Sequence, residues 1–161
     1  MKKSTVTMTW VALAVTLLTC ATAAPGRQNP LLGSWQYDST RSTFVGRAPF
    51  QRATMSFTAL VTGMHVVSDV VVASGQNFHF EYRDPQDGSF VPVVGNPYYN
   101  SESTVWTDSH TATRTERRDG KTIGVTTLTV AADGATFTAS ARRTVPDGHL
   151  YTSVIVWVRV K

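Results

Sequence analysis

Residues 122–160 read TIGVTTLTVAADGATFTASARRTVPDGHLYTSVIVWVRV, and this stretch decides the fold. Runs of β-branched and apolar residues at 122–130, 136–144 and 150–160 are joined by Asp133-Gly134 and Asp147-Gly148. Asp-Gly between alternating runs marks a hairpin, because both residues tolerate the positive φ of a type I′ turn. The same punctuation stands at Asp87-Gly88 and Asp119-Gly120. Upstream, residues 52–60 set Ala53, Met55, Phe57 and Ala59 against Thr54, Ser56 and Thr58. Residues 77–82 set Phe78, Phe80 and Tyr82 against Asn77, His79 and Glu81. A period of two is the mark of a strand with one face buried.

Further strands are expected at 33–37, 64–73, 90–94, 103–107 and 111–117. Pro92 removes a ladder donor and sends its strand to an edge or a bulge. Residues 38–49 are polar and contain Gly and Pro, and they read as a long first loop. No helical periodicity outlasts a turn or two. About ten strands in meander order give an all-β fold, a single antiparallel up-and-down β-barrel of about 8–10 strands. Closure also removes the exposed edges that a Val- and Thr-rich sheet would otherwise offer to other chains.

The N-terminus reads as an export signal. Lys2 and Lys3 precede an apolar stretch over 10–18, and Ala21-Thr22-Ala23 supplies a small-residue cleavage site. The expected division is a cleaved leader at 1–23 and one barrel domain at 24–161, placed in the periplasm or secreted. The apolar stretch is shorter than the roughly 20 residues of a spanning helix, so the mature chain has no integral membrane segment. Cys20 is the sole cysteine. Leu17-Leu18-Thr19-Cys20 leaves lipid anchoring through Cys20 as the lesser alternative, with Thr19 where Gly, Ala or Ser is usual. Cleavage after Ala23 leaves no thiol, hence no disulfide and no thiolate ligand, and stability must come from the core.

The formal charge of +4 includes Lys2 and Lys3, which depart with the leader. The pairs Arg117-Arg118 and Arg142-Arg143 read as solvated strand ends. No continuous basic stripe interleaved with aromatics marks a nucleic-acid surface, and no nucleic-acid partner is expected.

Catalytic signals are weak. His79 and Glu81 are neighbours on one strand face and are the pair that an enzyme would use. The usual hydrophobic-in, polar-out pattern puts them outside. His65, His79, His110 and His149 lack metal-ligand spacing, so no metal and no cofactor is expected. No Gly-x-Ser-x-Gly elbow occurs, the glutamates are few, and most aspartates stand in turns. The aromatics carry more information. Tyr98, Tyr99, Trp106, Tyr151 and Trp157 fall in or beside strands and are the candidate ligand-binding residues. Tyr98-Tyr99 either gates the barrel mouth or plugs it.

Gly33-Ser34-Trp35 resembles the Gly-x-Trp signature of the lipocalin and avidin superfamily, the calycins. The chain is similar more broadly to small secreted bacterial lipocalin-like proteins. In those, a start like Gly33-Ser34-Trp35-Gln36-Tyr37 precedes a polar run ending like Ser42-Thr43-Phe44. A motif like Pro92-Val93-Val94-Gly95-Asn96-Pro97 follows, then Arg142, Arg143, Asp147 and Gly148. The resemblance covers nearly the whole mature chain. It implies a lipocalin-like barrel in the cell envelope and brings no agreed activity with it. It also implies that Trp35 closes the barrel floor, with Arg159 the candidate basic side chain over its indole.

The expected function is binding of a small lipophilic molecule, as carrier, scavenger or sensor. The alternatives are a barrel enzyme (isomerase, cyclase or hydrolase) and a ligand-free interaction or inhibitor module.

Overall fold

The computed structural model describes residues 29–144 and 148–161. The leader expected at 1–23, Cys20 and Asp147 lie outside the described residues.

Ten strands make up the fold: β1 (Gly33–Val45), β2 (Phe50–Ala59), β3 (Met64–Val72), β4 (Asn77–Asp84), β5 (Val91–Pro92), β6 (Ser101–Trp106), β7 (Thr111–Arg118), β8 (Lys121–Val130), β9 (Thr136–Thr144) and β10 (Leu150–Arg159). They form one antiparallel sheet in the order β4-β3-β2-β1-β10-β9-β8-β7-β6-β5. Chain neighbours pair throughout except β4 and β5, and the first strand pairs with the last. The two ends of the sheet meet at a single bridge, Glu81–Val94, through two N–H···O bonds of 3.0 Å. The result is a nearly closed up-and-down barrel, all-β as its turns foretold, with no helix among the described residues.

Alternation fills the interior. Trp35, Ala53, Met55, Phe57, Val66, Val70, Phe80, Leu128, Phe137, Ile155 and Trp157 face inward and are buried. At the floor, Trp35 meets Phe137 edge-on at 4.8 Å, and Phe137 stacks on Trp157 at 5.6 Å. Each such side chain contributes about 1.5–3 kcal/mol of burial free energy, plus the edge or stacking preference of the rings.

The barrel departs from the sequence reading in three places. Residues 38–49 are not one long loop, because β1 runs on to Val45. Its register against β10 jumps between Asp38 and Thr43, a wide bulge. The polar residues make the bulge stable by satisfying its backbone. Asp38 Oδ1 accepts from the Thr40 and Arg41 amides at 2.9 and 3.2 Å, and Ser42 Oγ accepts from Val156 N at 2.9 Å. The Thr40 hydroxyl and then the Arg41 side chain, which also donate to Asp38, do most to hold its carboxyl well below the usual range, with the two amides adding to them. The second departure concerns the turns. Among the described residues only Asp119-Gly120 has both φ values positive, at 51° and 79°, as a type I′ turn requires. Asp87 and Asp133 keep ordinary φ, and there the glycine alone turns left-handed. The third is the segment at 90–94, which shrinks to β5. Pro92 does sit at the edge of the sheet, where its missing donor is tolerated.

Candidate functional site

The inner face of the polar strands carries charge. β7 turns Ala112, Arg114 and Glu116 inward, and all are buried. β6 adds Glu102 and Thr104, β8 adds Thr126, and β9 adds Arg143 beyond Ala139 and Ala141. Glu116 is the hub. Arg143 forms a two-pronged pair with it through Nε and Nη2. Arg114 Nε donates to it at 3.1 Å, and the Thr126 hydroxyl donates at 3.2 Å. Gly124 makes room for the cluster: a Cβ there would lie 2.5 Å from Arg143 Cγ and 2.8 Å from Glu116 Oε2.

Burial and charge pull these groups in different directions. Burial opposes the charge of Glu116, but Arg143 and Arg114 outweigh it and hold the carboxyl below its usual range. Glu102 fares otherwise. It is fully buried, neither carboxyl oxygen has a hydrogen-bond partner among the described residues, and Arg114 Nε is 3.7 Å away. Burial therefore prevails and pushes its pKa up to about 8. Burial likewise raises Asp84, and it raises the phenols of Tyr82 and Tyr99. At neutral pH the hub thus holds two guanidinium charges against the one carboxylate of Glu116.

Above this charged wall lies a cavity of about 60 Å³. One side is aromatic: Phe50, Phe78, Phe80, Tyr98, Tyr99 and Trp157. The other carries Arg114, Arg143, Ser68 and Asn96. Arg47, in the link between β1 and β2, also lines the cavity. Its Cζ stands 5.0 Å from the Phe50 ring centroid, 5.1 Å from Tyr151, 5.3 Å from Tyr98 and 6.0 Å from Phe44. Stacking of this kind is worth about 0.5–1 kcal/mol to a cation at an exposed site, and contacts that share one guanidinium do not simply add.

The candidate aromatics are therefore spread over different places. Tyr98, Tyr99 and Trp157 line the cavity. Tyr99 is buried against Phe80, whereas Tyr98 is half-buried at the rim beside Phe78. The Tyr151 hydroxyl accepts from Arg143 Nη1 at 3.1 Å and sits at the rim under Arg47. Trp106 is not among the lining residues; it is half-buried at the end of β6, opposite Ala112.

At the floor the Arg159 Cζ lies 4.1 Å from the Trp35 ring centroid. The same guanidinium donates to the carbonyls of Gly134, Leu32 and Pro30. The Trp35 indole N–H donates to the Leu31 carbonyl at 2.7 Å.

His79 and Glu81 are on the outer face and do not pair with each other. His79 Nδ1 is 2.8 Å from Asp69 Oδ1, and His65 Nε2 is 3.0 Å from Glu81 Oε2. An outer cleft of about 510 Å³ borders Asp69, His79, Asn77 and Arg52, and another of about 320 Å³ borders His65 and Glu81. No group of three or more potential metal ligands occurs among the described residues.

Two arginines expected at solvated strand ends are instead engaged. Arg143 points inward to Glu116, and Arg117 stacks 3.5 Å from the centroid of Phe90. The charged hub was missed by the sequence reading. Its signal was parity: Phe137, Ala139, Ala141 and Arg143 share a face, as do Ala112, Arg114 and Glu116.

No family model and no curated protein matches the chain. Among solved structures it is similar to the crystal structure of zebrafish ileal bile acid-binding protein complexed with cholic acid. The identity is 9%, the match covers 81% of this chain and 99% of that one, and the TM-score is 0.47.

Proposed function

We propose that the protein is an exported barrel that binds one small lipophilic molecule bearing an acidic end, as a carrier, scavenger or sensor in the cell envelope. The observation that carries this reading is the interior cavity with an aromatic wall facing Arg114, which is buried, and Arg143, which is partly buried. Rings supply apolar contact area at little conformational cost. The hub supplies a guanidinium excess in a place where unpaired charge is expensive and an anion relieves it. A carboxylate, sulfonate or phosphate at Arg114 and Arg143, with its apolar body along Phe78, Phe80 and Trp157, meets both demands.

The cavity of about 60 Å³ is smaller than ordinary ligand pockets, which start near ~300 Å³. Binding of a whole guest therefore goes with widening at the mouth. Export rests on the leader expected at 1–23, and the protein recovered from its own host should begin at Ala24.

The test is a titration with decanoate and, in parallel, decanol, following tryptophan emission. Trp157 in the cavity wall makes emission responsive to a guest. Decanoate should change the emission saturably, and decanol should bind at least tenfold more weakly. Equal binding of the two would remove the role given to the arginines. No response to either, together with no small molecule retained in native mass spectrometry, would overturn the reading.

A further inference from the structure

We infer that Arg47 is a removable stopper: in the empty barrel its guanidinium fills a box of aromatic rings across the mouth, and it leaves the box when a guest is admitted. The inference rests on the proposed use of the cavity and concerns how that cavity is reached.

Three observations support it. The first is position. Arg47 is itself part of the cavity wall, together with Phe50 and Tyr98 of the box, so withdrawal of this side chain widens the cavity on that side. The second is the manner of holding. Four ring centroids lie within 6.0 Å of its Cζ, while its polar contacts among the described residues are 3.4 Å to the Ala48 carbonyl and 3.4 Å to the Tyr151 hydroxyl. Ring faces attract a cation through their quadrupole over a broad area, without the directional demand of a hydrogen bond. A guanidinium can slide off them step by step. The third is attachment. Arg47 is in the link at 46–49 and outside any ladder, so its withdrawal breaks no strand pairing. Side chains in such places change rotamer on the picosecond to nanosecond scale.

Arg143 shows the contrast a few ångströms deeper. It is pinned by both prongs to Glu116 and cannot leave without breaking that two-pronged pair, which would leave the carboxylate to Arg114 and Thr126. Arg47 and Arg143 nevertheless share Tyr151, whose hydroxyl contacts both. Withdrawal of Arg47 therefore bares the rim tyrosine that already touches the anion-binding wall.

The experiment uses the full chain with Arg47→Ala and Arg47→Lys, each checked for fold by circular dichroism. Acrylamide quenching reads solvent access to Trp157, and Trp157→Phe identifies that residue's share of the emission. Arg47→Ala should be quenched several-fold more steeply than the unmodified protein, whereas Arg47→Lys, which keeps a cation in the box, should stay close to it. Millimolar tetramethylammonium chloride should refill the box in Arg47→Ala and restore protection, and sodium chloride should not. Unchanged quenching in Arg47→Ala overturns the stopper. A second arm follows decanoate association by stopped flow. A several-fold faster association in Arg47→Ala supports the stopper. A slower association with weaker affinity overturns it, because Arg47 would then be the guest's own counter-ion. If no variant takes up decanoate, the guest reading fails, and the quenching arm alone decides on Arg47.

Discussion

Each end of the barrel carries an arginine over aromatic rings, yet the two are held in different ways. At the floor, Arg159 covers Trp35 and also spends its donors on the carbonyls of Gly134, Leu32 and Pro30. Those carbonyls belong to two separate pieces of chain, at 30–32 and at Gly134, so the side chain acts as a rivet. At the mouth, Arg47 faces more rings but makes only long polar contacts among the described residues. What fixes a guanidinium is the saturation of its five donors, which needs acceptors in its own plane. Ring contacts alone position it without locking it. The same residue type is thus held by carbonyl acceptors over Trp35 and chiefly by rings beside the cavity.

The comparison can be pressed from its strongest point downward. Glu116→Gln should be the most damaging change, because it removes the carboxylate that Arg114 and Arg143 share and leaves buried cations without it. Breaking such a buried pair typically costs about 3–5 kcal/mol, read as a drop in the urea midpoint. Next comes Arg159→Ala, which frees three carbonyls and an indole face and should cost about 3 kcal/mol. Arg47→Ala should cost about 1 kcal/mol or less by the same measurement. Equal losses at 47 and 159 would erase the distinction between rivet and stopper.

A separate effect should appear on titration. Glu102 has a folded pKa of about 8 against 4.5 in the unfolded chain, so the folded state binds the extra proton. The stability this contributes is complete below about pH 4.5 and is lost as the pH rises toward 8. Denaturation midpoints should fall by an amount equivalent to a few kcal/mol across that window, roughly as the shift implies. Glu102→Gln should flatten the slope. Anion affinity should weaken over the upper part of the same window, since ionised Glu102 cancels the charge excess beside Arg114. The smallest effect is expected outside the barrel. His79→Ala and Glu81→Gln touch exposed pairs and should change stability by no more than about 0.5 kcal/mol, with decanoate binding unaltered. A large loss of binding in either would move the site to the outer clefts.

Most of the architecture was legible because the meander rule and the turn chemistry are local. Asp119-Gly120 turns as type I′ chemistry requires, and the runs at 122–130 and 136–144 coincide with β8 and β9. The continuation of β1 was hidden, because Asp38, Thr40 and Ser42 look like loop residues. They are loop residues in chemistry, and what they cap is a bulge within a strand. The hub was hidden for another reason. The β7 sequence, Thr-Ala-Thr-Arg-Thr-Glu-Arg-Arg, is polar on both faces, so alternation cannot say which side is wet. Only the partner strands decide it: Glu102, Gly124 and Arg143 converge on Glu116 from β6, β8 and β9. That convergence is tertiary, and its trace within a single segment is the face that Arg143 shares with Phe137, Ala139 and Ala141. The gap at Gly124 illustrates the point, since a glycine in mid-strand is an ordinary weakness until the side chain that fills its space is known.

The meeting of β4 with β5 bears on the small size of the interior. Among the described residues nine strand pairs are laced by ladders, whereas this one is fastened by a lone stitch between Glu81 and Val94. A cuff fastened at one button changes girth when the button is undone. Losing two hydrogen bonds would let the cylinder dilate while every lace stays tied, and its volume at rest is then a lower bound on what it can hold.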